Sequence, residues 1–399
     1  MSELENLIQT LCPNGVEYKP LGEVLSYEQP SKYIVGSTDY KDEYVTPVLT
    51  AGRTFILGYT NEQNGIYKAS KENPVIIFDD FTTSFHWVEF DFKVKSSAMK
   101  MLRPKNKNCI FKYLYYLMQT IKYSPVDHTR QWIEKYSKFS IPVPPIEVQR
   151  EIVRILDKFT ELTAELTAEL TAELTARKKQ YEYYRDELLN LESSKNVERK
   201  TLADVCSKIS SGGTPTATNK EYYNGNIPWL RTQEVDWKNI YDTEIKITET
   251  GLKNSSAKWI PENCVIVAMY GATAAKVAIN KIPLTTNQAC CNLQVNPNIA
   301  LYRYVFHWLC YKYNELKQLG QGSQSNINAG IIKNYPILLP PLEEQERIVA
   351  ILDRFDKLCN DISQGLPAEI EARKKQYEYY RDKLLTFKEL SPSVAERSE

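Results

Sequence analysis

The sequence predicts an α+β chain built twice: two α+β globular modules joined by two long helices that pair as an antiparallel coiled coil, a pseudo-twofold internal repeat. Three observations predict it. "IPVPPIEVQREIVRILDKF" from Ile141 returns as "YPILLPPLEEQERIVAILDRF" ending at Phe355, and "ARKKQYEYYRDELL" from Ala176 returns as "ARKKQYEYYRDKLL" from Ala372. Pro145 maps to Pro341, Gln149 to Gln345, Phe159 to Phe355 and Arg177 to Arg373, all at one shift of 196 residues without a gap. The shared segments carry apolar residues at steps of three and four, whereas the stretches before them hold short β-branched and aromatic runs broken by Gly, Asn and Asp.

In chain order, residues 1–146 form the first globular module. Its strands are expected in "YVTPVLTAGRTFILGYT", "NPVIIFDDF" and "WVEFDFKVKSSAMKML". Residues 147–196 form the first long helix, entered at Pro144-Pro145. Ile152, Ile155, Leu156, Phe159, Leu162, Leu166, Leu170 and Leu174 make its apolar stripe, which Tyr181, Tyr184 and Leu188 continue. From Glu147 to Leu191, at 1.5 Å per residue, such a helix runs roughly 65 Å, too long to stand without a helical partner.

Residues 197–342 form the second module, with "CVIVAMYGATAAKVAI" and "QACCNLQV" as strands. Its amphipathic "IALYRYVFHWLCYKYNELKQL" matches "IFKYLYYLMQTI" of the first. Residues 343–390 form the second helix, and residues 391–399 a tail. Leu358, Ile362, Leu366 and Ile370 take the places of the four leucines, and Tyr377 and Tyr380 those of Tyr181 and Tyr184. Gly365 and Pro367 break or kink this second copy, so only the first helix is uninterrupted and the pairing need not be symmetric. The competing arrangement has each helix packing only on its own module.

Fifty basic and fifty acidic residues cancel, but the distribution is uneven. Between Phe92 and Lys138 eleven Lys or Arg face only Asp127 and Glu134, either a solvated face or a phosphate track. No apolar stretch is long enough to cross a membrane and the N-terminus lacks a signal-peptide pattern, so a cytoplasmic protein with no membrane partner is expected. Eight cysteines without a C-x-x-C and three histidines support neither a metal site nor a disulfide framework; isolated buried thiols are expected. There is no P-loop, G-x-S-x-G, H-E-x-x-H or dinucleotide fingerprint; the paired acids Asp79-Asp80 could form a metal site, although neighbours on one strand end rarely converge. No catalytic residue is assigned.

What the modules do offer is amide and aromatic side chains interleaved with Lys and Arg in loops, the residue types that read base edges and grip phosphates. In the first module the candidates are Tyr27, Gln29, Lys32, Tyr33, Thr50, Arg53, Asn61, Asn64, Lys93, Lys95, Ser96, Lys100, His128, Arg130 and Gln131. In the second they are Ser211, Gly212, Gly213, Thr214, Arg231, Thr232, Gln233, Tyr270, Thr273, Lys276, Asn287, Gln288, Gln321, Ser323, Gln324 and Asn326. Each also reads as a turn-former or strand-end cap.

The duplicated frame, the "PPLEEQERIVAILDRF" segment and the "ARKKQYEYYRD" helix resemble the specificity subunit of type I restriction–modification systems over the full chain, with "GGTPT", "IPW" and "QGSQSNI" similar to recurring segments of its target recognition domains. The resemblance implies a chain without catalytic activity or cofactor of its own. Two target recognition domains would each read one half of a bipartite, asymmetric site on double-stranded DNA. The two helices would set the spacer and dock two methyltransferase subunits, which use S-adenosylmethionine to methylate adenine at N6. Restriction (motor) subunits, using ATP and Mg2+, would complete the complex. A protein scaffold bridging partner subunits without reading sequence is the alternative.

The tandem "TAEL" copies within residues 160–177 have a mechanical reading. Four helical residues add about 6 Å and a net rotation of about 40°, against about 34–36° per base pair of B-DNA. One copy thus corresponds in twist to about one base pair of spacer.

Overall fold

The computed structural model describes residues 2–52, 54–320, 326–360 and 365–390. The chain divides into two compact units, Met1–Leu166 with Ala372–Glu399, and Thr167–Glu371.

In the first unit the apolar run "VIIF" becomes the strand Val75–Asp79, the centre of a sheet ordered Leu25–Glu28, Met99–Pro104, Val75–Asp79, Phe85–Val88, antiparallel throughout. Alternate residues leave opposite faces of a strand. Ile76 and Phe78 pack under the helix Phe111–Met118, while Val75 and Ile77 pack toward Leu49, Phe92 and Val94. Both faces are buried, which is why the run is unbroken rather than alternating. A smaller sheet (Ile56–Thr60, Thr46–Leu49, Lys93–Val94) covers the second face.

The second unit repeats this order. Cys206–Ser211, Cys290–Val295, Val265–Ala268 and Val277–Asn280 follow one another across the sheet, with Asn239–Ile240 added at the edge. The helix Tyr302–Tyr311 packs on it, as the likeness between the two amphipathic stretches predicts. A four-stranded companion sheet (Lys246–Ile247, Tyr223–Leu230, Leu284–Thr286, Trp259–Ile260) replaces the three-stranded one. All eight cysteines are free and all but Cys206 are buried.

A two-stranded ribbon leads into each shared helix: Glu17–Pro20 against Ser140–Val143, and Glu198–Thr201 against Pro336–Leu339. The helices Ile146–Leu189 and Leu342–Asn360 start just beyond. A fully buried glutamine locks each start. Gln149 Oε1 accepts from Ile110 N at 2.8 Å, while its amide donates to Pro144 O at 2.8 Å and Asn108 O at 3.2 Å. Gln345 does the same with Leu301 N at 2.9 Å, Pro340 O at 2.9 Å and Ile299 O at 3.3 Å. Each amide thereby satisfies three backbone groups that would otherwise be stranded at the helix entry.

The antiparallel pairing of the shared helices is seen inside each unit. In the first, Phe159 meets Tyr380 at 6.1 Å between ring centroids, Thr160 Oγ1 lies 3.0 Å from the Tyr377 hydroxyl, and Leu156 and Leu385 share the core. Leu162, Leu166, Tyr377 and Tyr380 line one groove with Arg373 and Gln376. In the second, Tyr184 stacks on Phe355 at 5.5 Å, and Leu189 shares the core with Ile348 and Leu352. Phe159–Tyr380 and Phe355–Tyr184 are the same contact, written once from each copy of the repeat. Leu170, Leu174, Leu358, Leu366 and Ile370 are half-buried; Ile362 lies outside the described residues. So do the other residues of 361–364, which adjoin the expected break at Gly365; the described helices on either side are Leu342–Asn360 and Leu366–Leu384.

Candidate nucleic-acid interface

The candidate loops of the second unit converge through their own hydrogen bonds. Thr214 donates to Gln288 Oε1, Thr273 Oγ1 donates to Thr232 O at 2.9 Å, and Asn287 N donates to Leu230 O at 2.9 Å. Asn326 Oδ1 accepts from Gly271 N at 3.1 Å, next to the exposed Tyr270. Gly213 O accepts from Trp229 Nε1 at 2.9 Å, and a Cβ on Gly212 would sit 1.9 Å from Thr286 O, so only glycine permits this approach. Ser211, Thr214, Gln233, Tyr270 and Gln288 are exposed around this cluster; Gly212 and Gly213 lie beneath it.

Its basic residues are not free. Arg231 Nη2 reaches Glu244 at 2.8 Å, and Lys276 Nζ reaches Asp236 at 2.7 Å. Gln321, Ser323 and Gln324 lie outside the described residues.

In the first unit the candidates separate into two kinds. Tyr27, Gln29, Lys32, Asn61, Asn64, Lys95, Ser96, His128 and Arg130 are exposed. Tyr33 and Thr50 are half-buried, the first donating to Glu28 at 3.1 Å and the second to Thr54 O at 2.8 Å; Arg53 lies outside the described residues.

Lys93, Lys100 and Gln131 are buried and engaged inward. Lys93 Nζ lies 2.9 Å from Glu62 and donates to Asn64 O at 2.7 Å. Lys100 Nζ lies 3.2 Å from Asp80 and 5.1 Å from the Tyr27 ring centroid. Gln131 accepts from the Tyr123 hydroxyl at 2.7 Å and donates to Thr129 O at 2.7 Å. These three side chains shape the surface from below, because a buried polar group that gives up its partners loses them without replacement by water. Their acidic partners, Glu62 and Asp80, are not among the candidate contacts: Asp80 stands out in the sequence only as one of the paired acids of "FDDF", and nothing local marks Glu62.

The segment "HTRQW" and residues 326–327 occupy equivalent positions in the two units. Gln131 N donates to Asp80 O at 2.7 Å and Ile327 N to Met269 O at 2.9 Å, beyond the ends of the equivalent strands Val75–Asp79 and Val265–Ala268. Among the described residues no group of His, Cys, Asp or Glu could hold a metal, and no helix is long and apolar enough to cross a membrane.

With this geometry in place, comparison with known proteins is decisive. The family model for the type I restriction modification DNA specificity domain matches twice, over residues 13–176 and 194–372. The chain belongs to the type I specificity subunits. It is 46% identical over 404 residues to the EcoR124I/EcoR124II specificity subunit of Escherichia coli, covering 97% of this chain and 98% of that one. It is 30% identical over 399 residues to a type I specificity subunit of Haemophilus influenzae, covering 96% and 98%. A solved chain from a structure of a type I restriction–modification complex shares the fold at TM-score 0.63 and 18% identity, covering 94% and 98%. The crystal structure of a specificity subunit from M. genitalium matches at TM-score 0.50 and 12% identity, covering 93% and 96%. The family confirms the duplicated α+β reading and makes this chain a DNA-specificity subunit, one that targets a reaction rather than performing it.

Proposed function

We propose that each globular module, residues 1–146 and 197–342, reads one half of a bipartite, asymmetric site on double-stranded DNA in the cytoplasm. The shared segments 147–196 and 343–390 set the gap and dock two methyltransferase subunits. Those subunits bring S-adenosylmethionine for adenine N6 methylation, and motor subunits bring ATP and Mg2+ for cleavage; this chain contributes address only. The observation that carries the reading is a sheet of one strand order, present twice, presenting two unlike sets of polar loops at equivalent strand ends. A repeated frame with divergent loops is what two different half-sites require.

The contact surface proposed in the first module is its exposed set, Tyr27, Gln29, Lys32, Asn61, Asn64, Lys95, Ser96, His128 and Arg130. In the second it is Ser211, Thr214, Gln233, Tyr270 and Gln288, backed by Arg231, Thr232, Thr273, Lys276, Asn287 and Asn326. The leucines of the tandem repeat follow a slowly drifting seam, and Thr171 and Thr175 donate back to the carbonyls four residues earlier at 2.7 and 2.9 Å, so a whole copy is a self-contained turn.

Deleting residues 163–166 is expected to shorten the nonspecific gap by about one base pair with both half-sites unchanged. Sequencing N6-methyladenine in DNA from cells carrying the chain with its methyltransferase measures this. Altered half-site letters or an unchanged gap refutes the spacer role, and absence of any sequence-defined motif refutes the reading as a whole.

A further inference from the structure

Beneath the exposed Tyr27 and Arg130 of the first unit lies an ion pair sealed from solvent: Asp80 and Lys100, each side chain 1% exposed, with Nζ and Oδ2 3.2 Å apart. Among the described residues neither of these two atoms has an aligned hydrogen-bond partner. Asp80 Oδ1 accepts from Trp132 N at 2.8 Å, its carbonyl accepts from Gln131 N at 2.7 Å, and its N donates to Ala98 O at 2.8 Å. The outer side of Asp80 Oδ2 faces Arg130, whose Nη1 lies 4.0 Å away on a side chain still 50% exposed.

The second unit shows that the fold does not need this pair. Met269 stands at the position of Asp80, with Met269 N donating to Ala289 O at 2.8 Å and Met269 O accepting from Ile327 N at 2.9 Å. Cys291 stands at the position of Lys100, paired with Val267 in the register that sets Lys100 against Phe78. Both are buried and apolar. The same backbone is therefore built twice, once over Met and Cys and once over Asp and Lys. A sealed ion pair stabilises little over an apolar isostere, so the charges in the first unit serve something other than folding.

We propose that Asp80, with Lys100, is a positioning residue for specificity: it aims Arg130 at a base edge in the first half-site, with Tyr27 held beside it over the Lys100 ammonium. The guanidinium fork matches guanine O6 and N7, so guanine is the base read there. This rests on the reading of the first module as a DNA reader and names the residues that do it.

The test uses the full chain with its methyltransferase subunits and reads methylated motifs genome-wide. Arg130→Ala, a change at the surface, is expected to relax one guanine of the first half-site by about tenfold or more and to leave the second half-site untouched. The double variant Asp80→Met with Lys100→Cys reproduces the second unit's pair; it is expected to fold and to relax the same position. An Arg130→Ala protein whose first half-site is unaltered overturns the proposal, as does a folded double variant that reads like the parent. A double variant that fails to fold leaves Arg130→Ala to decide. A parent protein that yields no bipartite motif overturns the DNA-reading assignment itself and this proposal with it.

Discussion

The two places where a shared helix meets its recognition core share a frame but differ in chemistry. In the first unit the Tyr116 hydroxyl donates to Asp157 Oδ1 at 2.6 Å and lies 3.3 Å from Thr160, which in turn touches Tyr377. In the second, His307 takes the place of Tyr116, Asp353 that of Asp157 and Asp356 that of Thr160. His307 Nε2 lies 2.7 Å from Asp353 Oδ1, its Nδ1 lies 3.1 Å from the Tyr181 hydroxyl, and Arg303 binds Asp353 through Nε at 2.7 Å and Asp356 at 3.0 Å. The duplication kept the carboxylate on the helix and let the donor beneath it drift. One junction became a neutral hydroxyl relay and the other an ionic knot. The lesson is that the backbone frame, secured by Gln149 and Gln345, tolerates either solution, and that the two junctions should therefore fail under different stresses.

The largest difference is expected on removing the carboxylate. Asp353→Ala leaves the Arg303 guanidinium, 11% exposed, on Asp356 alone and takes the carboxylate partner from the fully buried His307, a loss of about 2–3 kcal/mol. Asp157→Ala removes one hydrogen bond from Tyr116 and leaves Thr160 within reach, a loss of about 1 kcal/mol. Hydrogen exchange resolved by segment reads the two junctions separately in the full chain. Equal losses would mean that the second knot is no more than a hydroxyl-type contact.

Acidity gives a smaller but more selective effect. Burial holds the His307 imidazole below its usual range, against the pull of Asp353 and with Arg303 acting in the same direction as burial. A histidine depressed in the folded state takes up its proton less readily than the unfolded chain does, so stability is present above about pH 6.5 and drains away as the pH falls from there toward the folded value. Burial instead pushes the Tyr116 hydroxyl upward, so its linkage acts only in alkali. Between about pH 6.5 and 5, protection of the second junction should fall while that of the first stays level. His307→Tyr should level the second as well; a slope that survives this substitution places its origin elsewhere.

The repeat, the paired helices and the strand runs were legible in the sequence because each is a periodic or copied pattern, and burial reads periodicity directly. The α+β class and the antiparallel pairing follow from that. The interface was legible only in part. Lys93 and Lys100 sit in a stretch with a local excess of positive charge, yet both point inward, since Glu62 and Asp80, far back along the chain, meet them after folding. Asp79 and Asp80 do part company as strand neighbours should: Asp79 caps Phe81 N and Thr82 N at 2.8 Å while Asp80 goes beneath the surface. What no local pattern could show is that Asp80 is sealed under Arg130. Nor could glycine content show that Gly212 is pressed against Thr286 O.

The smallest effect concerns how the two recognition modules handle their positive charge. The first sinks two of its lysines and pairs them below the surface, Lys93 on Glu62 and Lys100 on Asp80. The second keeps its charge near water and covers it with exposed acids, Arg231 on Glu244, which is 67% exposed, and Lys276 on Asp236, which is 54% exposed. Pairs of this exposed kind contribute less than about 1 kcal/mol to folding, so Glu244→Gln should leave thermal stability nearly unchanged. Its consequence lies in binding. Arg231 Nε stays 3.8 Å from the buried Glu234, but its Nη2, released from Glu244, can meet a phosphate, which steepens the fall of affinity with salt by up to about one counterion and strengthens binding to unrelated duplexes more than to the cognate site. Titrating cognate and scrambled duplexes across a salt series with the methyltransferase-bound chain measures both. A steeper slope with a lower specificity ratio identifies Glu244 as a guard against sequence-blind binding, whereas an unchanged slope shows that Arg231 never reaches the DNA backbone and that the second module's charge, like the first's, is spent inside the protein.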